Sequence, residues 1–258
     1  MDGFLIQILL RGVLVGGMYA LLSVGLTLIF GVLEIPHFAY GDVMMLAMYT
    51  CYWLQVFTGA SLFLSIIIVF PLYLALGFIL QKFVVNKIMD KPELSKMLFM
   101  VGFSLFLQGL ALFVWTADTR FVKSELQNIY VDIGGGKISL TYIVNFVMAM
   151  LFFAGFYLWL QKTFMGKAIR ASAQNKDLAL VTGINIHKIF LVSFGIATVM
   201  SAVGAVLFAP IYYVGPFVGL ELTLKSFMIV VLGGLGSIEG ALLGGLIIGV
   251  VEALSSYL

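Results

Sequence analysis

Charge is what this sequence has least of. Only 10% of its 258 residues are Asp, Glu, Lys or Arg, where a soluble domain carries roughly a quarter. With 62% hydrophobic residues and a mean hydropathy of +1.15, the chain cannot be a water-soluble globular domain, and lipid is its solvent. A formal net charge of +2 excludes the basic footprint of a nucleic-acid binder. Cysteine is limited to Cys51, in an apolar stretch, so no intramolecular disulfide forms and the residue is expected to pack between helices. No His/Cys/Asp grouping has metal-ligand spacing. The motifs G-x-x-x-x-G-K-[ST], G-x-S-x-G and H-E-x-x-H are absent, as is an Asp pair with enzyme-like spacing. The chain is therefore expected to be no enzyme and to carry no cofactor; any ATPase that drives it must be another chain. Alternating polar and apolar decades are missing too, so the membrane spans must be helices and not barrel strands. MDGFLIQILLRG lacks a basic start and a small-residue cleavage site, so no signal peptide is expected and the first apolar stretch should stay in the mature protein.

What is present is apolar runs. They place helices at about 4–33, 42–58, 61–81, 97–117, 141–161, 189–209, 222–235 and 238–257. The expected fold is all-α: one polytopic transmembrane bundle over residues 1–258, with about seven or eight spans of ~20 residues, some broken or re-entrant. The first run is too long for one upright span, so it either breaks at Gly16-Gly17 or tilts. The run at 222–235 is too short to cross, which suggests a re-entrant helix. Lys82, Lys87, Lys91 and Lys96 form one basic cluster, and Lys162, Lys167, Arg170, Lys176 and Lys188 another; together they hold nine of the 14 Lys and Arg. Two spans separate the clusters, so both lie on one side, which the positive-inside rule makes cytoplasmic. The connection 118–140 is then external, and its IYVDIGGGKISLTY reads as a β-hairpin turning at Gly134–Gly136, a lid on the outer face. Gly236, Gly240 and Gly244 repeat every four residues, as do Gly245 and Gly249, and Gly12 and Gly16. Such small-residue stripes let helix backbones approach in lipid, so ordinary bundle packing is the first expectation and a gate or subunit contact the second.

One polar island interrupts the apolar walls: MGKAIRASAQNKDLALVTGINIHK, residues 165–188. Ala168, Ala171, Ser172 and Ala173 suit close contact. Asn175 can cap a second short helix, KDLALVT; Asp177 suits the positive start of that helix, and Gly183 sits where a C′ glycine would end it. The island reads as a pre-formed helix–turn–helix with Leu178 and Val181 free to dock. A solvated connection is the plainer alternative, and the caps and small residues speak against it.

GKAIRASAQNKDLALVTGIN resembles the cytoplasmic coupling loop of inner-membrane permeases of ABC importers, specifically the LivH type for branched-chain amino acids. Two further blocks match in order: GGMYALLSVGLTLIFGVLEIPHFAYGDVMMLAMY (16–49) and KSFMIVVLGGLGSIEGALLGGLIIGVVEAL (225–254), so the resemblance covers nearly the whole chain. It implies a multi-pass permease of a prokaryotic plasma (inner) membrane. The implied partners are a second, related or identical permease subunit, two cytoplasmic ABC ATPase subunits and an external substrate-binding protein. The ATPase would grip the loop at about 163–188, through Gly166, Arg170, Ala171, Ala173, Asn175, Lys176, Asp177, Ala179 and Gly183. Arg170 and Lys176 would supply polar contacts, and the alanines a close fit. The implied translocation path or helix break comprises His37, Phe38, Tyr40, Gly41 and Asp42, with Gly233, Gly234, Gly236, Ser237 and Glu239. The external hairpin and residues 211–220 would face the binding protein.

The sequence departs from the family in two places. Where the family has Asn-Phe-Ala-His-Gly-Glu, this chain reads His37-Phe38-Ala39-Tyr40-Gly41-Asp42, which keeps hydrogen-bonding groups at the changed positions. With Pro36 ahead of it, the segment is expected to be a helix break near the cytoplasmic face; a proton relay of Glu34, His37 and Asp42 is the sharper alternative. Family members also continue through another apolar helix and a basic tail with an Arg-Pro pair, while this sequence stops at Leu258, either as a fragment or as a shortened form whose last helix a partner replaces. Carboxylates in spans are costly and need partners. Glu221 and Lys225, four apart, suit an ion pair; Glu239 is placed to cap the following helix; Glu252 is placed to reach an interface. A self-sufficient secondary transporter or channel is the alternative function. It shares broken helices and predicts inverted repeats, but leaves the capped island without a role.

Overall fold

The computed structural model describes residues 2–133 and 136–256. Ten α-helices follow one another: α1 (Asp2–Leu33), α2 (Tyr40–Thr58), α3 (Leu62–Phe83), α4 (Glu93–Trp115), α5 (Leu140–Lys162), α6 (Phe164–Gln174), α7 (Lys176–Val181), α8 (Ile186–Phe208), α9 (Val218–Gly233) and α10 (Ile238–Ser255). Between α4 and α5 lies an antiparallel hairpin, β1 (Tyr130–Ile133) and β2 (Gly136–Ser139), in which Tyr130 faces Ser139 and Ile133 faces Gly136. Gly134 and Gly135 of the expected turn lie outside the described residues. Among the described residues, six helices (α1, α3, α4, α5, α8 and α10) are long and apolar enough to cross a membrane. With α2 and the 16-residue α9, all eight expected apolar segments are helical.

Polar side chains set where the helices begin. Ser61, Ser139, Thr163, Asn185 and Ser237 each accept a backbone N–H in the first turn of the helix that follows, satisfying donors that lipid could not. α1 runs unbroken through Gly16-Gly17. The glycines there serve packing: a Cβ on Gly16 would stand 2.8 Å from the Gly245 carbonyl oxygen, and one on Gly245 2.6 Å from the Ala20 nitrogen. The stripes of α1 and α10 thus face each other at backbone distance. Gly16→Leu should therefore lower the thermal unfolding midpoint in detergent, at a cost of about 1–3 kcal/mol. Gly155→Leu, where a Cβ would meet nothing within 4 Å, should leave it unchanged.

α1 and α8 are the buried pillars, while α3, α4, α5 and α10 turn most of their surface outward. Ile67, Leu98, Leu105, Phe113 and Leu151 are among the exposed side chains, as a lipid-facing ring requires. α1 packs along α10, α3 along α8, and α2 against α9. This pairing is unchanged when α1, α2 and α3 are exchanged for α8, α9 and α10. Phe78, toward the end of α3, packs on Gly195 in the first half of α8, so the two lysine-rich clusters share one side, the one that the positive-inside rule expects in the cytoplasm. On the other side Gln55 accepts from Lys123 N–H (2.8 Å), Arg120 and Val214 form a bridge, and Gln7 donates to the Lys137 carbonyl (2.8 Å). The hairpin is thereby fastened over the outer end of α1.

Candidate functional site

At the centre of the bundle two helices start at one point. α1 ends at Leu33; Glu34 takes φ +56°, and the chain passes Pro36 and a buried His37 before α2 begins at Tyr40. The Tyr40 hydroxyl donates to the Leu22 carbonyl (2.7 Å), beside the place where Gly25 of α1 meets Ala197 of α8. Leu22 lies about three turns before the end of α1 and Ala197 midway along α8, so α2 starts within the bundle, above the cytoplasmic face where the sequence had placed the break. α9 starts at the same depth. A Cβ on Gly41 would collide with the Gly219 carbonyl, and one on Gly219 would stand 2.8 Å from the Asp42 Cα. Thr223 ties the two ends: Gly41 N–H donates to its hydroxyl (2.9 Å), which donates to the Gly219 carbonyl (2.8 Å). Two helix N-termini bring two positive dipole ends together. Asp42 offsets them from the first turn of α2, and is itself held by Ser104 and by Gln108 (3.1 Å) of α4.

The Glu34–His37–Asp42 relay does not assemble. Glu34 pairs instead with Lys176 (3.1 Å), Asp42 with Ser104 and Gln108, and His37 Nδ1 has no hydrogen-bond partner. The His37 ring packs on Phe194, with centroids 5.3 Å apart, and Phe38 stacks on Phe227.

The island is the expected helix–turn–helix, α6 and α7. Asn175 Oδ1 accepts from Leu178 N–H (3.0 Å). Gly183, at φ +84°, ends α7 with Ile184 N–H donating back to the Ala179 carbonyl (3.0 Å). Of the residues expected to touch an ATPase, Arg170, Ala171, Ala173, Asn175, Asp177 and Gly183 are exposed. Gly166 and Ala179 are buried against their own chain and shape the island from within. Lys176 turns back to Glu34 and lies over the Phe190 ring. The exposed apolar residues are Phe164, Leu178, Leu180 and Val181, and Phe164 and Val181 are each 85% exposed. Phe164 falls within the expected loop at about 163–188 but not among the contact residues read from the sequence, which begin at Gly166.

The turn between α9 and α10 reaches the same side. Gly234 and Gly236 adopt φ +92° and +84°, and Gly233 packs on Gly240. Ser237 caps α10 by accepting from Gly240 N–H (3.0 Å). Glu239, expected to be the cap, instead accepts from the Tyr157 hydroxyl (2.9 Å), because the serine already fills the N-cap position. A cavity of about 260 Å³ brings Arg170 and Ala173 of the island together with Gly236 and Glu239 of this turn and Gly31 of α1. Two groups of residues singled out separately in the sequence thus share one cleft.

Toward the outer side, Lys225 reaches the expected Glu221 (3.4 Å) and also Glu252 (2.8 Å) and the Tyr19 hydroxyl (3.0 Å). Tyr212 and Tyr213 donate to Glu221, the latter at 3.1 Å. Burial first, and the Glu221 carboxylate second, hold both phenols above their ordinary pKa, so they remain donors at neutral pH. No sequence spacing announced Glu252, 27 residues away. Lys225→Met should be destabilising, by less than the ~3–5 kcal/mol of a fully buried pair, since both carboxylates are partly exposed. Adding Glu252→Gln should recover most of that loss, as read in a double-mutant cycle of unfolding midpoints.

A bundle of membrane-length helices, with two shorter helices broken at its centre and polar groups gathered at the break, defines a multi-pass membrane transport protein. The chain belongs to the family described as branched-chain amino acid transport system / permease component, whose model matches residues 8–258. It is 30% identical to the high-affinity branched-chain amino acid transport system permease protein LivH of Salmonella typhimurium, over 98% of this chain and 86% of that one. The corresponding protein BraD of Pseudomonas aeruginosa is 30% identical over 96% of this chain and 85% of its own. A probable LivH of Methanocaldococcus jannaschii is 29% identical over 97% and 81%. No solved structure matches the chain.

Proposed function

We propose that this chain is the membrane-spanning permease subunit of an ATP-driven importer of branched-chain or closely related amino acids in a prokaryotic inner membrane. The family match over nearly its whole length carries the reading. In the complex it pairs with a second permease, related or identical, and two cytoplasmic ATPase subunits grip α6 and α7. An external binding protein delivers substrate to the face made by the hairpin and residues 211–217. The exposed Phe164, Leu178 and Val181 supply the grip, with Arg170 beside them. Movement of the island passes to α1 through the Glu34–Lys176 pair, and to the α9–α10 turn through the shared cleft. Both routes lead to the central break, the first through α1, which α2 follows, and the second along α9, which starts there. The pairing of α1–α3 with α8–α10 is an inverted arrangement that secondary transporters also use, so it does not favour that alternative. Reconstitution decides between them: proteoliposomes holding the permease pair, ATPase and binding protein should take up radiolabelled leucine, isoleucine or valine only with internal ATP. Uptake by the permease alone, driven by a proton or sodium gradient, would establish the secondary-transporter reading instead.

A further inference from the structure

Between the outer ends of α1 and α10 lies a cavity of about 390 Å³ whose polar groups the interactions above use only in part. Its polar lining includes Arg11, Tyr19, Tyr212 and Glu252. The apolar walls include Ile8, Val15, Phe208 and Ile211. The volume falls within the ~300–1,000 Å³ common for small-molecule sites.

Two charges of opposite sign are left over there. Lys225 has three N–H donors, and all three are directed at Tyr19, Glu221 and Glu252. One ammonium therefore serves two carboxylates. The oxygens of Glu221 are taken by Tyr212 and Tyr213, whereas Glu252 Oε2 is buried and accepts no hydrogen bond. An acceptor of that kind, withdrawn from water, is costly until a donor arrives. On the cavity's other polar wall, Arg11 donates to the Tyr142 hydroxyl (2.9 Å) and lies over the Tyr142 ring, but forms no ion pair among the described residues. Its guanidinium keeps donors suited to a carboxylate.

We propose that this cavity is a transit site for a zwitterionic α-amino acid with an apolar side chain. The ammonium donates to the carboxylate of Glu252, a partly exposed lining residue, the α-carboxylate accepts from Arg11, and the side chain rests on Val15, Phe208 and Ile211. Access comes from outside: a larger vestibule of about 760 Å³ under the hairpin shares Arg11, Tyr142, Ile211 and Tyr212 with the cavity. The proposal rests on the importer reading and adds to it a place in the permease itself where both charges of the substrate are recognised.

The test uses the full chain in lipid nanodiscs without binding protein, read by saturation-transfer NMR. The probes are L-leucine, 4-methylpentanoate, which lacks the ammonium, and 3-methylbutylamine, which lacks the carboxylate. Leucine should bind, and each single-charge analogue at least tenfold more weakly. Glu252→Gln should weaken leucine while erasing its advantage over 4-methylpentanoate. Arg11→Gln should erase its advantage over 3-methylbutylamine, and Val15→Trp should abolish binding of all three. A merely structural role for Glu252 or Arg11 would not exchange the preferences in this paired way. Undetectable leucine binding, or equal binding of leucine and either analogue to the unaltered chain, would overturn the site, and that arm needs no variant to fold. ATP-driven uptake by the complete importer would still stand in that case; failure of uptake would sink the importer reading separately.

Discussion

A chain carrying Leu178→Asp together with Val181→Asp is expected to insert and unfold like the native protein, yet lose its ATPase partner. Both side chains are exposed on the cytoplasmic island, so changing them disturbs no internal contact of the bundle. Asn175 and Gly183, which set the conformation of α7, stay in place. Truncating the apolar centre of a protein interface commonly costs ~2 kcal/mol or more, roughly thirtyfold in affinity, and inserting two carboxylates there should cost more. Pull-down of a co-expressed ATPase in detergent, scored beside the unfolding midpoint of each sample, is the measurement. Arg170→Glu should weaken the association less, as a rim charge does. Gly183→Pro should weaken it by distorting the turn, since proline cannot adopt φ +84°. Equal recovery of ATPase by all of them would make the island a solvated connection and leave its caps without a function.

The second large effect is expected at the core. Gly41→Ala and Gly219→Ala should each lower the unfolding midpoint sharply, by the equivalent of about 3 kcal/mol or more, beyond the usual overpacking range of ~1–3. The reason is that the added methyl meets backbone, which cannot rotate away. At position 41 it meets the Gly219 carbonyl and stands 2.6 Å from Thr223 N. Separating the helices also breaks the Gly41–Thr223 hydrogen bond in a setting with no water to replace it. The double variant should lose less than the sum, because one displacement relieves both clashes. Gly109→Ala is the control: a Cβ there meets nothing within 4 Å, and helix propensity alone should leave it neutral or slightly stabilised. Unchanged midpoints at 41 and 219 would mean that the two helix starts are not in contact.

The features legible in the sequence were those decided within a few residues. Apolar runs located the eight bundle helices because lipid demands uninterrupted stretches. The Asn175 cap and the Gly183 terminator sat at their required offsets, and the hairpin followed from alternation beside glycines. α9 began earlier than expected, at Val218, because Glu221 made its first turn resemble an external connection when it is a partly screened carboxylate among tyrosines. Gly16-Gly17 suggested a break because the sequence could not say that α10 would lie against Gly16 and α5 against Gly17. Glu239 was assigned a cap that Ser237 already fills. The candidate site was only half visible. Asp42 stood out, but Ser104, Gln108 and Thr223, which hold the break, are ordinary polar residues in distant spans. Glu252 and Arg11 acquire meaning only through the folded neighbours that satisfy one oxygen and leave the other bare.

The meeting of α2 and α9 also bears on how the protein is made. Gly41 donates its N–H to a residue 182 positions further on. At roughly 5–20 residues per second, the ribosome needs on the order of ten seconds or more to deliver that partner. During this interval the start of α2, with Asp42 in its first turn, has entered the membrane region without the helix that will complete it. Biosynthesis must therefore shelter a half-built junction, at the insertion machinery or in a shallow position, until α9 emerges. A chain carrying Val43→Cys, buried near the start of α2 in the finished fold, should be open to aqueous labelling when stalled before Val218, and release of the full chain should close it.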